Sequence, residues 1–505
     1  MLMSFVRKSL ERKNILIQIF MAGCLGLILG AAVQRVPLEL VLAFLILIIL
    51  IYAILKRPEI GLLVILIATS SIVYEDQLPR VSLGISFHFS DLLLLGLLGI
   101  LVVRWLVEPG FKFVKTPLDK FIVLFLGITL LSTASALYQS SVDVVTVRRA
   151  LRIFSYYLTF FIVTNLVRER RQIDLLLRGI FLLATIVAVA IVLQFVLGSS
   201  VQVLPGRVET LQTRGAMYED ITRVLPPGWS VVLISFVVLF CAFALETKPA
   251  FMLRIPYLSL LGSALIFTFL RSYWAAIFII LLMMGFLFNG RERGRLVGAG
   301  LLFVFAGLMI FLTASIEPES RSSRLMVASV DRLGTLFDSG TFQGQDGSLN
   351  WRLIENKYAF QTIAEHPWLG LGLGFTYRPW DYRIDQIDTT GTSYDFRKHI
   401  HNGHLWILLQ SGVIGYFSFL LLSAAFVLRG LWKWRSISDP RLQSIVLGFS
   451  LTYLVVFIAA VANSSFTQWR WTPVLGIMMG VNEVIFRLYG DKEIDQINTK
   501  VEHAG

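Results

Sequence analysis

Four of the chain's six histidines, His366, His399, His401 and His404, fall between Asn350 and Tyr416. In the run HIHNGH, His401 and His404 are three apart, so a helix beginning there would carry both on one face. A neutral imidazole can take the proton of a hydroxyl, which makes one of the three a candidate general base. With Asp395 close by, a zinc site is the alternative, although no HExxH and no second ligand cluster accompany it. Packing at a helix start is the third reading. Upstream, in NWRLIENKYAFQTIAEHPW, Trp351, Ile354 and Tyr358 recur at helical spacing, with Arg352 and Glu355 on a neighbouring face. This predicts a helix from Asn350 that Pro367 ends. Two further arginines have almost no loop to carry them into water: Arg271 in FTFLRSYWAA and Arg470 in NSSFTQWRWTP. Such a charge is costly unless it is paired or used, with a snorkelling side chain as the bland alternative. Trp469 and Trp471 fit an aromatic belt or a sugar-stacking surface.

These residues sit in a greasy chain. Hydrophobic residues make up 56% and charged ones 15%, with a mean hydropathy of +0.73. Soluble proteins carry roughly 25% charged residues, so the chain is of the membrane class. The net charge of +12 is then informative through its distribution across a bilayer, and nucleic acid is not an expected partner. Cys24 and Cys241 lie in apolar runs and read as core residues rather than a disulfide pair. The basic SFVRKSLERK precedes an apolar run without a convincing cleavage site, which reads as a retained first span. Apolar runs near 15–33, 38–55, 60–74, 91–107, 118–138, 150–167, 175–197, 229–245, 256–270, 273–289, 296–315, 402–428, 441–461 and 472–487 follow one another. The expected fold is an all-α integral membrane protein, a polytopic bundle of about 14 transmembrane helices (12–14). It divides into a bundle over 1–315, a long catalytic outer loop over 316–400, and C-terminal spans and tail over 401–505.

Placing the N-terminus inside collects KRPE, EPGFKFVKTP, RERRQID, ETKPAFMLR, NGRERGR, RGLWKWRSISDPR and the tail on the inner side, where the positive-inside rule wants Lys and Arg. Both termini are then cytoplasmic. Every cation of the short outer segments is an arginine: Arg35, Arg80, Arg148, Arg149, Arg152, Arg207, Arg214, Arg223, Arg271 and Arg470. Arginine grips phosphate oxygens in pairs and stays charged when partly desolvated, so this face suits a phosphate-bearing lipid headgroup. Codon usage with interfacial snorkelling is the other reading. The polar loop 198–228 is expected to lie over a site as a lid, with Arg214 and Arg223 as candidate phosphate contacts. GLGLG, at Gly370 to Gly374, follows no strand and reads as a turn that lets backbone approach a ligand or a neighbouring helix.

In the order of these features the chain resembles the O-antigen ligase/polymerase family of bacterial envelope glycosyltransferases. LRSYW is similar to that family's arginine element at the outer end of a span pair. NWRLIENKYAFQTIAEHPWLGLGLGF is similar to its arginine helix followed by P-x-x-G-x-G-x-G. HNGHLWILLQSGVIGY is similar to its H-N-x-x-L opening of the next span. Leu270 and Ser272 depart from the serine and glycine expected around Arg271, and His399 and His404 compete with His401. The resemblance implies a bacterial inner-membrane enzyme with its site facing the periplasm. Its donor would be an undecaprenyl-pyrophosphate-linked saccharide. Its acceptor would be the sugar hydroxyl of a lipid-linked glycan or of lipid A-core, with a chain-length regulator as a candidate partner. Transfer would be inverting, with no metal or other cofactor. Arg271 and Arg352 would bind pyrophosphate, and His401 would act as base with Asn402 holding it. Glu355, His404, Arg214, Arg223 and Arg470 complete the expected substrate contacts. A lipid-linked saccharide transporter is the rival, but transporters favour repeats and ionisable groups at mid-membrane, whereas here these collect at the outer surface. Large outer loops and the distant Arg80, Arg148, Arg149 and Arg152 tilt the expectation toward a polymerase, which must hold two lipid-linked saccharides, over a ligase.

Overall fold

A run of apolar residues can leave water only if it satisfies its own backbone, so helices dominate. The computed structural model describes residues 48–78, 80–82, 86–199, 201–204, 207–213, 216–245, 251–316, 321–334, 347–385 and 395–489. The expected run 15–33 and most of 38–55 lie outside the described residues. Residues 48–60 belong to a first unit and are helical apart from Arg57. All that follows concerns the second unit, from Gly61 onward.

Five of the described helices are long and apolar enough to cross a membrane: Phe89–Val107, Asp119–Tyr138, Arg170–Leu197, Gly403–Ser436 and Pro440–Ala459. Trp229–Leu245, Arg254–Phe267 and Arg271–Leu287 are shorter apolar helices. Their faces show what surrounds them. In Arg271–Leu287, Tyr273, Ala276, Ile280 and Met284 are buried, while Phe278, Leu282 and Phe286 are exposed on the other side. A helix apolar on both its buried and its exposed face suits a lipid solvent. Pro440–Ala459 is central, with 78% of its most apolar stretch buried against 28% for Phe89–Val107 at the periphery. Its Gly448 lets the backbone of Val238 approach so closely that a Cβ would stand 2.6 Å from Val238 Cα, the use of small residues that membrane helix contacts favour.

The run 150–167, expected as one span, is divided. Asp143 caps an amphipathic helix, Val144–Ser155, a 3-10 turn covers Tyr156–Leu158, and Thr159–Leu166 continues as a short buried helix. Arg152 stands one turn before the 3-10 turn. Its Nε donates to both oxygens of Asp91 at 2.6 and 2.8 Å and its Nη2 to Glu75, while the Tyr156 hydroxyl bridges Ser90 Oγ and Asp91 Oδ1. A charge network of this kind can be buried when it is fully hydrogen-bonded, but it holds the chain at one depth.

Loop 198–228 is a β-hairpin, Arg207–Thr213 against Ala216–Leu225, with a register shift at Thr210/Leu211. Its tip, including Arg214, lies outside the described residues. The connections sort to two ends of the unit. At one end, Ser70 Oγ donates to Arg470 O, Gly228 N to Ser71 O and Tyr74 OH to Leu225 O. At the other, Arg170 pairs with Asp439, Arg435 with Glu292, and Arg168 Nη2 donates to Lys112 O. The second set consists of segments that loop charge assigns to the inner side.

Candidate active site

The helix expected from Asn350 begins at Gly347 and runs to Glu365, and the HNGH run opens the helix Gly403–Lys433. Asn402 caps the latter, its Oδ1 accepting from His404 N and Leu405 N at 3.1 Å each. A polar side chain at this position satisfies helix-end N–H groups that have no partner within the helix. Asn402, expected to hold His401, thus has its side-chain oxygen engaged in the cap.

His401 is held instead by Glu355. Its Nδ1 lies 3.0 Å from Glu355 Oε2 and 3.2 Å from Oε1, and its backbone N–H donates to Oε2 at 3.0 Å. Trp351 Nε1 donates to Oε1 at 2.9 Å. Glu355 is only 2% exposed, whereas the His401 side chain is 38% exposed. Burial pushes the Glu355 carboxyl up, but the His401 hydrogen bond and charge outweigh it and hold the group below its usual range. An ionised Glu355 takes the proton-bearing Nδ1 and leaves the lone pair on Nε2, the tautomer a general base needs. The sequence gives Glu355 no partner 46 positions away; the long-range pairing is what sequence reasoning missed. Here Glu355 orients the histidine, a different part from the expected substrate contact.

The other two histidines are separated from this task by their surroundings. His399 packs edge-on against His401 and Trp406, with ring centroids 4.9 and 5.0 Å away. Burial, with the neighbouring His401, lowers its pKa to about 4, so it is neutral at neutral pH. His404 Nε2 donates to Phe457 O at 3.0 Å and its Nδ1 accepts from Tyr416 OH at 3.2 Å, so both ring nitrogens are engaged. No group of three or more His, Cys, Asp or Glu placed to hold a metal occurs among the described residues. In the downstream loop, Arg378 meets Asp385, Arg383 meets Asp381 and Arg397 meets Asp395. The Arg397 hydrogen bond holds the Asp395 carboxyl below its usual range.

The glycine turn is the joint that carries the loop. The Gly403 helix breaks at Gly412 (φ 64°, ψ −171°). Into the break Leu371 N donates to Leu409 O at 2.7 Å and Gly372 N to Gln410 O at 3.0 Å, while Val413 N donates to Pro367 O at 2.8 Å. Leu373 N reaches Thr133 Oγ1 at 3.1 Å. A small core of Ala359, Phe375, Tyr377, Ile400, Leu405 and Leu409 fills the space between the two helices. Of the two readings for GLGLG, the structure gives the neighbouring helix.

Arg352 is half-buried, one turn before Glu355. Arg271 begins its helix after Phe269, which holds a left-handed φ of 50°. The next residue, Ser272, accepts from Asn463 Nδ2 at 2.5 Å, and a Cβ on Gly403 would stand 2.8 Å from Asn463 O. Asn463 thus joins the start of the Arg271 helix to the start of the Gly403 helix, two residues after His401. Arg470 belongs to the same 460–471 connection, its guanidinium 5.9 Å from the Trp469 ring. Trp471 is neither belt nor sugar platform; it is fully buried and packs on Trp229 and Tyr273. Arg223 pairs with Glu209 at 2.8 Å and donates Nε to Thr268 O, tying the hairpin down three residues before Arg271.

Fold and site together define a multi-pass membrane protein with a histidine held on a buried carboxylate at one end of its helices. A family model described as O-Antigen ligase matches residues 256–420, which include Arg271, Arg352, Glu355, the glycine joint and His401. The match covers about a third of the chain and agrees with the resemblance to the O-antigen ligase/polymerase family read from its motifs. No curated protein matches the chain.

Proposed function

We propose that this protein transfers a saccharide from an undecaprenyl-pyrophosphate-linked donor to an acceptor hydroxyl, with inversion and without a metal. The observation that supports it is the His401–Glu355 pair, in which a partly exposed imidazole is held through Nδ1 by a buried carboxylate. In the reaction Nε2 takes the acceptor proton as its oxygen bonds to the anomeric carbon. The bond from that carbon to the pyrophosphate oxygen breaks, and the leaving group keeps the electron pair. Arg271 and Arg352 neutralise the charge that develops there, as fixed cations in a partly dry site can. The bundle of about 14 spans, both cytoplasmic termini and a periplasmic 316–400 loop are part of this reading. A tag within 340–348 that resists labelling from outside the cell would overturn the orientation.

Within this chemistry we favour polymerisation of lipid-linked repeat units. Arg152 is engaged by Asp91 and Glu75, which removes it from the expected acceptor contacts. Arg148 and Arg149 remain on the same helix with no ion pair among the described residues. That helix abuts the loop, with Lys398 Nζ 3.2 Å from Thr146 Oγ1. They offer a second phosphate position on the helix that abuts the loop. Ligation to lipid A-core is the second reading, favoured by the description of the matching family model. Lipid-linked repeat units alone, given to purified protein, are expected to yield a ladder of longer lipid-linked glycans. Transfer only after lipid A-core is added would reverse the choice. In the same assay Arg271→Lys and Arg352→Lys keep the charge but lose the bidentate fork. Losing one charge-assisted hydrogen bond is worth about 1.5–3 kcal/mol, so each is expected to fall about 10- to 150-fold. Near-normal activity in both would make them interfacial anchors.

A further inference from the structure

At the end of the unit opposite His401, a cavity of about 300 Å³ opens between the turn at 114–117 and the ends of the Gly403 and Thr472–Tyr489 helices. Lys115, Arg429, Lys433 and Arg487 line it, against the carboxylate of Glu483. Two of the cations are fixed in place. Arg429 Nε donates to Glu483 Oε1 at 2.7 Å and its guanidinium lies 4.9 Å from the Phe486 ring, while neither Nη has a protein hydrogen bond among the described residues. Arg487 donates Nη1 to Thr164 O and Nη2 to Val167 O, both at 2.8 Å. Asp119, the nearby acid, is engaged with Thr116 through its N–H and hydroxyl at 2.9 and 2.6 Å. Lys115 and Lys433 are exposed and make no ion pair among the described residues. A second cavity of about 240 Å³ shares Val114 and Arg487 and adds Lys112 and Arg168.

Cations gathered around a cavity repel one another unless an anion fills it. Guanidinium Nη groups and lysine ammoniums match the oxygens of a phosphate. The cavity lies where helices end, and the neighbours of its lining residues, Trp432 at 76% exposure and Phe113, are large exposed aromatics of the kind that mark a membrane interface. An anion presented at that depth arrives attached to acyl chains. We propose that this cavity binds the phosphate headgroup of an anionic phospholipid, a role independent of the glycosyl-transfer reading. General positive-inside charge does not account for it, because that charge needs only loops, whereas here Arg429 is positioned by a buried carboxylate.

The test uses the full chain in neutral detergent, titrated with phosphatidylglycerol and read by native mass spectrometry. At roughly 5-fold per lysine near a headgroup, Lys115→Ala/Lys433→Ala is expected to weaken saturable binding about 30-fold. Arg178→Ala/Arg291→Ala, which removes two exposed cations from the same end, is expected to change it less than about 3-fold. Arg429→Lys keeps the charge near Glu483 but loses the fork, and is expected to weaken binding about 10-fold without unfolding the protein. Phosphatidylcholine is expected not to compete. Equal losses in the two double variants would reduce the site to diffuse surface charge. Displacement by glycerol phosphate at the lipid's own concentration would make it a site for a soluble anion. Unchanged binding in Arg429→Lys would also overturn the assignment.

Discussion

His401→Ala is expected to lower glycosyl transfer by about 10²–10⁴-fold, the usual worth of a positioned general base, while the protein still inserts and still binds donor. The size follows from geometry. The imidazole is the accessible member of a pair whose other member is buried and held by three donors: His401 Nδ1, His401 N and Trp351 Nε1. Removing the ring leaves Glu355 facing the acceptor, but a carboxylate set back by the length of an imidazole is out of reach of the same proton. Glu355→Gln is expected to follow His401→Ala rather than the unaltered chain. The amide can offer its NH₂ to Nδ1, which favours the tautomer with the proton on Nε2 and removes the base. His399→Ala and His404→Ala act through packing, around Trp406 and between Phe457 and Tyr416, and are expected to cost much less turnover than His401→Ala. Turnover of all three variants with purified lipid-linked donor decides the matter. Equal losses, reversed by zinc or reproduced by a chelator in the unaltered protein, would replace the base with a metal.

Much of this arrangement is legible in the sequence because it depends on local pattern. Apolar runs mark helices, and Pro367 marks where the Glu355 helix must stop. What is not legible is pairing across distance. Arg152 stands in an apolar run and reads as an outer-face phosphate ligand, yet it is met by Asp91 and Glu75 from two other segments. Arg223 reads as a substrate contact and is tied to Glu209 across the hairpin. In the stretch before HIHNGH, Asp381, Asp385 and Asp395 are met by arginines two to seven residues away. Glu355 differs in kind: its type and helix were apparent, but its partner was fixed only when the glycine joint folded the loop back.

Gly412→Ala is expected to be as damaging as the loss of the base, at a position about ten residues, or roughly 15 Å of helix, from His401. Its φ of +64° is a conformation that costs an L-residue about 1–2 kcal/mol. A Cβ there would lie 2.1 Å from Trp368 O and 2.3 Å from Trp368 C, backbone atoms that cannot turn aside. Overpacking adds about 1–3 kcal/mol. The strain can be relieved in one way, by withdrawing the 367–374 turn from the break in the helix, which releases the contacts of Leu371, Gly372 and Val413. Two helices leave that joint and meet again at Glu355 and His401, so a shift at the joint moves one partner relative to the other. A displacement of about 1 Å in a catalytic constellation can cost on the order of 10²-fold in rate. Gly370→Ala should behave alike, since its φ is +65° and its Cβ would meet Leu409 O at 2.5 Å. Gly99→Ala and Gly285→Ala, each with nothing within 4 Å of the added carbon, are expected to leave both melting temperature and activity near those of the unaltered chain. If Gly412→Ala and Gly285→Ala prove equally active, the loop is not seated in the helix break.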